Sequence, residues 1–282
     1  MVAFPTSVPA EVVPGRAALE VQSVQGLSAV TSLFATSPMK LLTPVARGPS
    51  VWAYTSSFGG GLVAGDQTQL EIRLGAKARC FLGTQASTKI YRNPSGKPCS
   101  HTTRATIGPG AFLAFVPDPI QAFAEARYQQ EQTFHLSSDA SLVMVDWLTA
   151  GRAARGERWA FGRFLSRNEI KIENARVLTD ALLLDPAEGG LSGPFQLGRF
   201  NCLALLVLLG PAVREAASEC LAHVQAQSVQ RRATLVFSAS PLRDGALVRV
   251  AGENVEAVGR ELRRCLGRIG EWLGDDPLER KW

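Results

Sequence analysis

SVWAYTSSFGGGLVAGDQTQLEIRL, residues 50–74, joins two strand-like runs, Ser50 to Phe58 and Gln67 to Leu74, through a glycine-rich turn. The turn first invites a phosphate-loop reading, because Gly60, four residues and then Gly65 match half of that pattern. A nucleotide-binding loop next requires a Lys to meet the phosphates and a Ser or Thr for magnesium, and here Asp66 and Gln67 stand in those places. A carboxylate beside phosphate repels it, so the stretch reads as a turn that connects two strands and delivers one acidic group to its far end.

Short strand-like runs continue on both sides of this turn: Ala17 to Gln25, Met39 to Pro44, Val51 to Phe58, Gln67 to Leu74 and Ala78 to Thr84, with more after Tyr91. Gly, Pro and Ser punctuate them at short intervals and no 3.6-residue periodicity persists, which predicts an all-β body over about 15–200. Gln121 to Gln132 has a locally helical composition, but Asp118-Pro119 before it and its β-branched surroundings favour strand and loop. Asn93 to Ser100 reads as an exposed turn and Asp185 to Pro194 as a mobile loop. No internal repeat is visible.

The last part of the chain, about 203–275, changes character. Val213, Ala217, Leu221 and Val224 recur at helical spacing behind Pro211, predicting an amphipathic helix from Pro211 to Val229. Ala233 to Ser238 and Ala246 to Val250 form a hairpin through Pro241 to Gly245, and Val255, Val258, Leu262, Cys265, Leu266, Ile269 and Trp272 mark a second amphipathic helix ending at Gly274. Each helix has one apolar face and no linker composition precedes it, so both are expected to pack on the β body in a single domain spanning 1–282. The fold class is mainly β with a C-terminal α+β section.

With 46% hydrophobic and 20% charged residues in 282, the chain can bury a substantial core. Its longest apolar run, Cys202 to Leu209, is far too short for a bilayer, which takes roughly 20 residues. Met1 to Ala10 lacks the basic start and apolar run of a signal peptide, so a cytoplasmic protein with no membrane partner is expected. Cys80, Cys99, Cys202, Cys220 and Cys265 are scattered and odd in number, which predicts buried thiols rather than a disulfide framework or zinc site. The net charge of +5 and the local series Arg152, Arg155, Arg158, Arg163 and Arg167 come with no nucleic-acid module and no interleaved aromatics, so no nucleic-acid partner is expected.

Catalytic inventory is poor. The three histidines, His101, His135 and His223, lie in no nucleophile motif, and Gly-x-Ser-x-Gly is absent. Paired carboxylates such as Asp66 with Asp146 leave a β-fold hydrolase as the alternative function. For metals, no local cluster supplies three ligands, so no tightly bound cofactor is expected. Weak contacts remain available from Asp66, Ser87 and Thr88, Asp146, Glu157, and Asp180 between Leu178 and Leu182. Two readings of these groups are open: they bond turns and arginines, for instance Glu157 with Arg152 or Arg155, or they line a water-filled passage. Lys89 and Tyr91, with Arg152 and Gly156, either shape the core or belong to an interface or passage.

Taken in order, Gly-Gly-Leu-Val-Ala-Gly-Asp (60–66), Gln85-Ala-Ser-Thr-Lys-Ile-Tyr91, Val116-Pro-Asp-Pro-Ile120 and Gly151-Arg-Ala-Ala-Arg-Gly-Glu157 resemble the urease accessory protein family UreD, also called UreH. Clear motifs run from about Ser50 to Phe164; Ala64 and Phe115 depart from the usual residues without removing a charge. The resemblance implies a β-helical, two-layer body and a non-enzymatic scaffold or chaperone that binds the urease apoprotein with UreF and, through UreF, the GTPase UreG. It implies GTP-dependent nickel insertion into urease and a dimer of such heterocomplexes. It also favours a passage for nickel in transit along Asp66, Asp146 and Asp180, with Ser87, Thr88, Lys89, Tyr91, Arg152, Arg155 and Glu157 as passage or interface residues. Weak carboxylate and hydroxyl ligands suit transit, because strong ligation traps the ion.

Overall fold

The computed structural model describes residues 14–279 apart from Ala46 and Val229; the N-terminal stretch Met1 to Ala10 and the expected helix end at Val229 lie outside the described residues. In chain order the strands are β1 (Gly15–Val24), β2 (Leu27–Ala35), β3 (Met39–Leu42), β4 (Val51–Ser57), β5 (Gly61–Leu62), β6 (Gln67–Leu74), β7 (Arg79–Thr84), β8 (Lys89–Ile90) and β9 (Cys99–Ile107). They continue as β10 (Phe112–Phe115), β11 (Ile120–Ala122), β12 (Arg127–Leu136), β13 (Ser141–Thr149), β14 (Arg163–Ile172), β15 (Ala175–Leu184), β16 (Cys202–Leu209), β17 (Leu235–Leu242) and β18 (Gly245–Gly252). The helices are α1 (Arg214–Ala226), α2 (Val255–Cys265) and α3 (Ile269–Leu273).

Two sheets face one another. The first has the order β15-β14-β12-β9-β6-β1-β2, and the second β17-β18-β16-β13-β10-β7-β4-β3. Between β4 and β14 the chain coils. Each turn lays one strand in the second sheet and one parallel to its predecessor in the first, while β5, β8 and β11 form a short parallel third row. This β-solenoid-like arrangement is a structural repeat that the sequence conceals, because the turns between strands differ in length. It bears out a mainly β, two-layer body with a helical C-terminal region.

The second sheet is covered on both faces. Its inner face meets the first sheet, and its outer face carries α1, α2 and α3 over Trp52, Val143, Val145, Leu206, Leu208 and Val248. Double burial explains why β16 reads as an unbroken apolar run, Cys202 to Leu209, instead of alternating. By contrast β2 escaped sequence detection because it is an edge strand exposed along most of its length, with no buried side to impose a period of two.

Three details differ from expectation in the C-terminal region. Pro211–Val213 is a 3-10 turn before α1, and Gln227 turns extended with its N–H bonded to the Val224 carbonyl, ending the helix earlier than Val229. Periodicity through Trp272 conceals a break between α2 and α3, where the Leu266 N–H is shared by the Leu262 and Arg263 carbonyls and Gly267 follows. Pro241 lies within β17 instead of the hairpin turn, which suits an edge strand with no inner ladder to lose. All five cysteines are buried free thiols.

Candidate functional site

Register across the first sheet aligns two polar rows on its inner face. Thr68, His101, Gln130 and Ser166 occupy one, and Thr103, Gln132, Asn168 and Asp180 the next. Apolar rows bound them on either side: Cys99, Tyr128, Phe164 and Leu184 on one flank, and Ile72, Ala105, Phe134, Ile170 and Leu178 on the other. Each of β9, β12 and β14 therefore carries the same inward pattern, apolar-polar-polar-apolar, at alternate residues. Leaving polar groups in such a layer is costly unless each finds a partner.

Those partners converge on Asp146, which β13 projects from the opposite sheet. Gln130 Nε2 donates to Asp146 Oδ1 at 2.8 Å, Ser166 Oγ to Oδ2 at 2.6 Å and Asn168 Nδ2 to Oδ2 at 2.9 Å. Gln130 Nε2 also reaches Ser166 Oγ at 2.8 Å, the Tyr128 hydroxyl donates to Gln130 Oε1 at 3.3 Å, and Gln132 Nε2 donates to Asn168 Oδ1 at 2.9 Å. Burial pushes the Asp146 carboxyl up from its ordinary pKa; the Asn168, Ser166 and Gln130 bonds pull it back, and the nearby Asp180 charge adds a further push upward. The carboxylate is thus solvated by neutral dipoles rather than by a fixed cation.

A cavity of about 120 Å³ lies between the sheets over these rows, lined by Thr68, His101, Gln130, Gln132, Asp118 and Asp146 among others, with Ser87 and Thr88 also on its wall. His101 Nδ1 is 2.8 Å from Thr68 Oγ1 and its Nε2 3.0 Å from Thr103 Oγ1, and burial pushes the imidazole pKa down to about 4, so the ring is neutral near pH 7. Thr84 Oγ1 accepts the Asp118 N–H at 2.7 Å and donates to its carboxylate at 3.0 Å. Asp146 also lines a second, wider opening of about 650 Å³, shared with Asp180, Leu205, Phe237 and Arg249. One carboxylate therefore belongs to both the interior cavity and the outer cleft.

The other residues singled out from the sequence fall into distinct places. Asp66 is partly exposed; its carboxylate accepts the Val63 N–H at 2.9 Å across its own turn, and it is not among the residues lining the cavity. Among the described residues Asp66 and Asp146 share no cavity wall and no hydrogen bond. Asp180 accepts from Arg249 Nη2 at 2.7 Å. Ser87 and Thr88 sit in the loop between β7 and β8, after a bend at Gln85–Ala86, and the exposed Lys89 begins β8, between Gly61 of β5 and Gln121 of β11. Tyr91 donates its hydroxyl to the Gly59 carbonyl at 3.0 Å and packs edge-on against Phe123.

Arg152 stacks over the same Phe123 ring, 4.2 Å from its centroid, and grips Glu157 with two guanidinium nitrogens. Glu157 Oε2 also accepts the Ala124 N–H at 3.2 Å; the Arg152 bond first, then this backbone bond, hold its carboxyl below the usual range. The expected Glu157–Arg152 pairing is therefore present, while Arg155 lies exposed in the adjacent 3-10 turn. Tyr91, Arg152 and Glu157 act as a brace on the third row beside the cavity. Sequence reading missed His101, Thr68, Gln130, Gln132, Ser166 and Asn168, although the repeated inward pattern of β9, β12 and β14 carried the signal.

Comparison with known proteins follows this geometry. A family model described as "UreD urease accessory protein" matches residues 13–282. Among curated relatives, "Urease accessory protein UreD" of Sorangium cellulosum is 48% identical over 260 residues, covering 92% of this chain and 81% of that protein. The protein of the same name from Anaeromyxobacter sp. (strain Fw109-5) is 46% identical over 268 residues, covering 94% and 89%. "Urease accessory protein D" of Oryza sativa subsp. japonica is 32% identical over 298 residues, covering 95% and 96%. Among the described residues, no helix is long and apolar enough to cross a membrane.

Proposed function

Because the chain belongs to the UreD family of urease accessory proteins, we propose that it acts as a non-enzymatic scaffold and chaperone that binds the urease apoprotein together with UreF. UreF recruits the GTPase UreG, nickel is inserted into the urease metallocentre at the expense of GTP, and the assembly is a dimer of such heterocomplexes in the cytoplasm. The nickel ion is cargo: it crosses this chain along the polar rows, past Asp146, and leaves beside Asp180.

The observation that carries this reading is the position of Asp146, shared by the interior cavity and the outer cleft. Its oxygens already accept three hydrogen bonds from neutral side chains, so a passing divalent cation meets negative charge without a preformed multidentate cage. Neutral His101 and Thr68 supply further weak donors along the wall, with Thr103 bonded to the His101 ring. Asp66 enters the proposal as the group that holds the glycine-rich turn in place, with Ser87, Thr88, Lys89, Tyr91, Arg152, Arg155 and Glu157 shaping the adjacent wall and interface.

Co-expression with UreF, UreG and the urease apoprotein tests it. Affinity capture should recover the complex with wild-type protein and with Asp146→Ala and Asp180→Ala, while both variants lower the nickel content and activity of urease. Normal nickel loading in both would end the passage reading, and failure of the wild-type chain to capture any partner would end the scaffold reading. Hydrolytic turnover abolished by Asp146→Ala, with complex formation intact, would favour the hydrolase alternative.

A further inference from the structure

The first sheet ends at β15, whereas the second continues past β13 through β16, β18 and β17. Antiparallel register places Asp146, Leu205, Arg249 and Ser238 in one row on the second sheet. Asn168 and Asp180 are neighbours in a row of the first sheet. The two rows meet twice: Asn168 Nδ2 donates to Asp146 at 2.9 Å, and Arg249 Nη2 donates to Asp180 at 2.7 Å. Asp146, Asp180 and Arg249 all line the outer cleft, so an ion that reaches Asp146 from the interior cavity meets this second contact as it leaves.

We infer that Arg249 is the gate of that route: its guanidinium neutralises Asp180 and sets a positive charge at the mouth, so a divalent cation crosses only when Arg249 swings off Asp180. The inference rests on the passage reading above and adds to it a specific control element. Arg249 is suited to the task because its side chain is 53% exposed, whereas the Asp180 side chain it holds is only 18% exposed. An ion pair with one exposed partner is weakly held and screened by salt, so it opens readily, while a guanidinium paired beside the carboxylates repels an entering cation as long as it stays there. Asp180 then serves in both states, as the latch for Arg249 when closed and as the second carboxylate beside Asp146 when open.

The test uses the purified full chain and Mn²⁺ as the probe, with binding followed by the electron paramagnetic resonance signal of free Mn²⁺. Arg249→Met should tighten Mn²⁺ binding roughly three- to tenfold, the effect of removing one well-hydrated unit charge about 4 Å away. The gain should disappear in the double variant Arg249→Met/Asp180→Asn, and Arg249→Lys, which keeps the charge, should bind as the wild type does. Equal Mn²⁺ affinity in wild type and Arg249→Met overturns the gate, as does a gain that survives loss of the Asp180 charge. Raising salt supplies a check without mutation: wild-type and Arg249→Met affinities should converge as the ion pair is screened. Failure of the passage itself registers separately, as normal urease nickel loading with Asp146→Ala, whatever the Mn²⁺ titration gives.

Discussion

Asn168 reaches from the first sheet to Asp146 of the second, Nδ2 to Oδ2 at 2.9 Å, and so ties the two layers together through a polar contact set between apolar rows. Ser166 and Gln130 complete the shell around the same carboxylate. Removing the acceptor therefore leaves three inward donors to be satisfied by each other or by water.

Asp146→Ala should lower stability by about 1–3 kcal/mol, the usual cost of leaving buried donors unpaired. Asp146→Asn should cost less, since its amide oxygen still accepts and the cost of burying a charge vanishes. Urea denaturation of the isolated protein, with an unchanged m value, measures the difference. A larger loss in Asn than in Ala would show that its amide N–H₂, set against the three inward donors, costs more than its oxygen gains.

Stability should fall on acidification between about pH 6.5 and 4 through His101. The unfolded imidazole takes up a proton near 6.5 and the folded one only near 4, so the unfolded state binds more protons within that window and stability drops as pH falls through it. The upper limit of this loss is on the order of 3 kcal/mol. Asp146 works in the opposite direction, because its raised folded pKa makes protonation favour the fold. His101→Gln should flatten the wild-type curve of melting temperature against pH below 6.5; unchanged slope would place the responsible group elsewhere.

Gly61 is held where a side chain cannot fit. A Cβ there would stand 2.4 Å from the Lys89 carbonyl oxygen and 2.8 Å from the Tyr91 ring, because β5 and β8 pair directly at this point. Gly61→Ala should destabilise by about 1–3 kcal/mol or more through forced backbone separation. Gly59, at φ 75° with open space around its Cβ position, should cost only about 1 kcal/mol on substitution by Ala. Thermal melts of the two variants decide whether steric contact or backbone conformation dominates in the glycine-rich turn.

Glu157 closes the segment between β13 and β14 by binding Arg152 and the Ala124 N–H together. Glu157→Ala should loosen the exposed 3-10 turn at Ala153–Arg155 and accelerate tryptic cleavage after Arg155 relative to wild type. Glu157→Gln, which keeps one carbonyl oxygen for both partners to share but loses the second acceptor, should be cleaved at an intermediate rate. Equal cleavage rates in all three proteins would mean that the turn is held by other contacts.

Sequence alone determined the strand nature of the body, the approximate extents of β1, β4, β6 and β7, and the helical spacing of the C-terminal region, because alternation and apolar periodicity are local consequences of burying one side. Ordered motifs in the segments 60–66, 85–91, 116–120 and 151–157 likewise determined the family. Asp146 and Asp180 stood out as carboxylates in apolar runs, but their partners did not. Gln130, Ser166, Asn168 and Arg249 lie 16, 20, 22 and 69 residues from the groups they bond. Only tertiary structure decided those pairings. The register of stacked parallel strands aligned the polar rows, and the facing of two sheets of unequal breadth set Asp146 between cavity and cleft. Such register depends on turn length summed over every coil, which no local window contains.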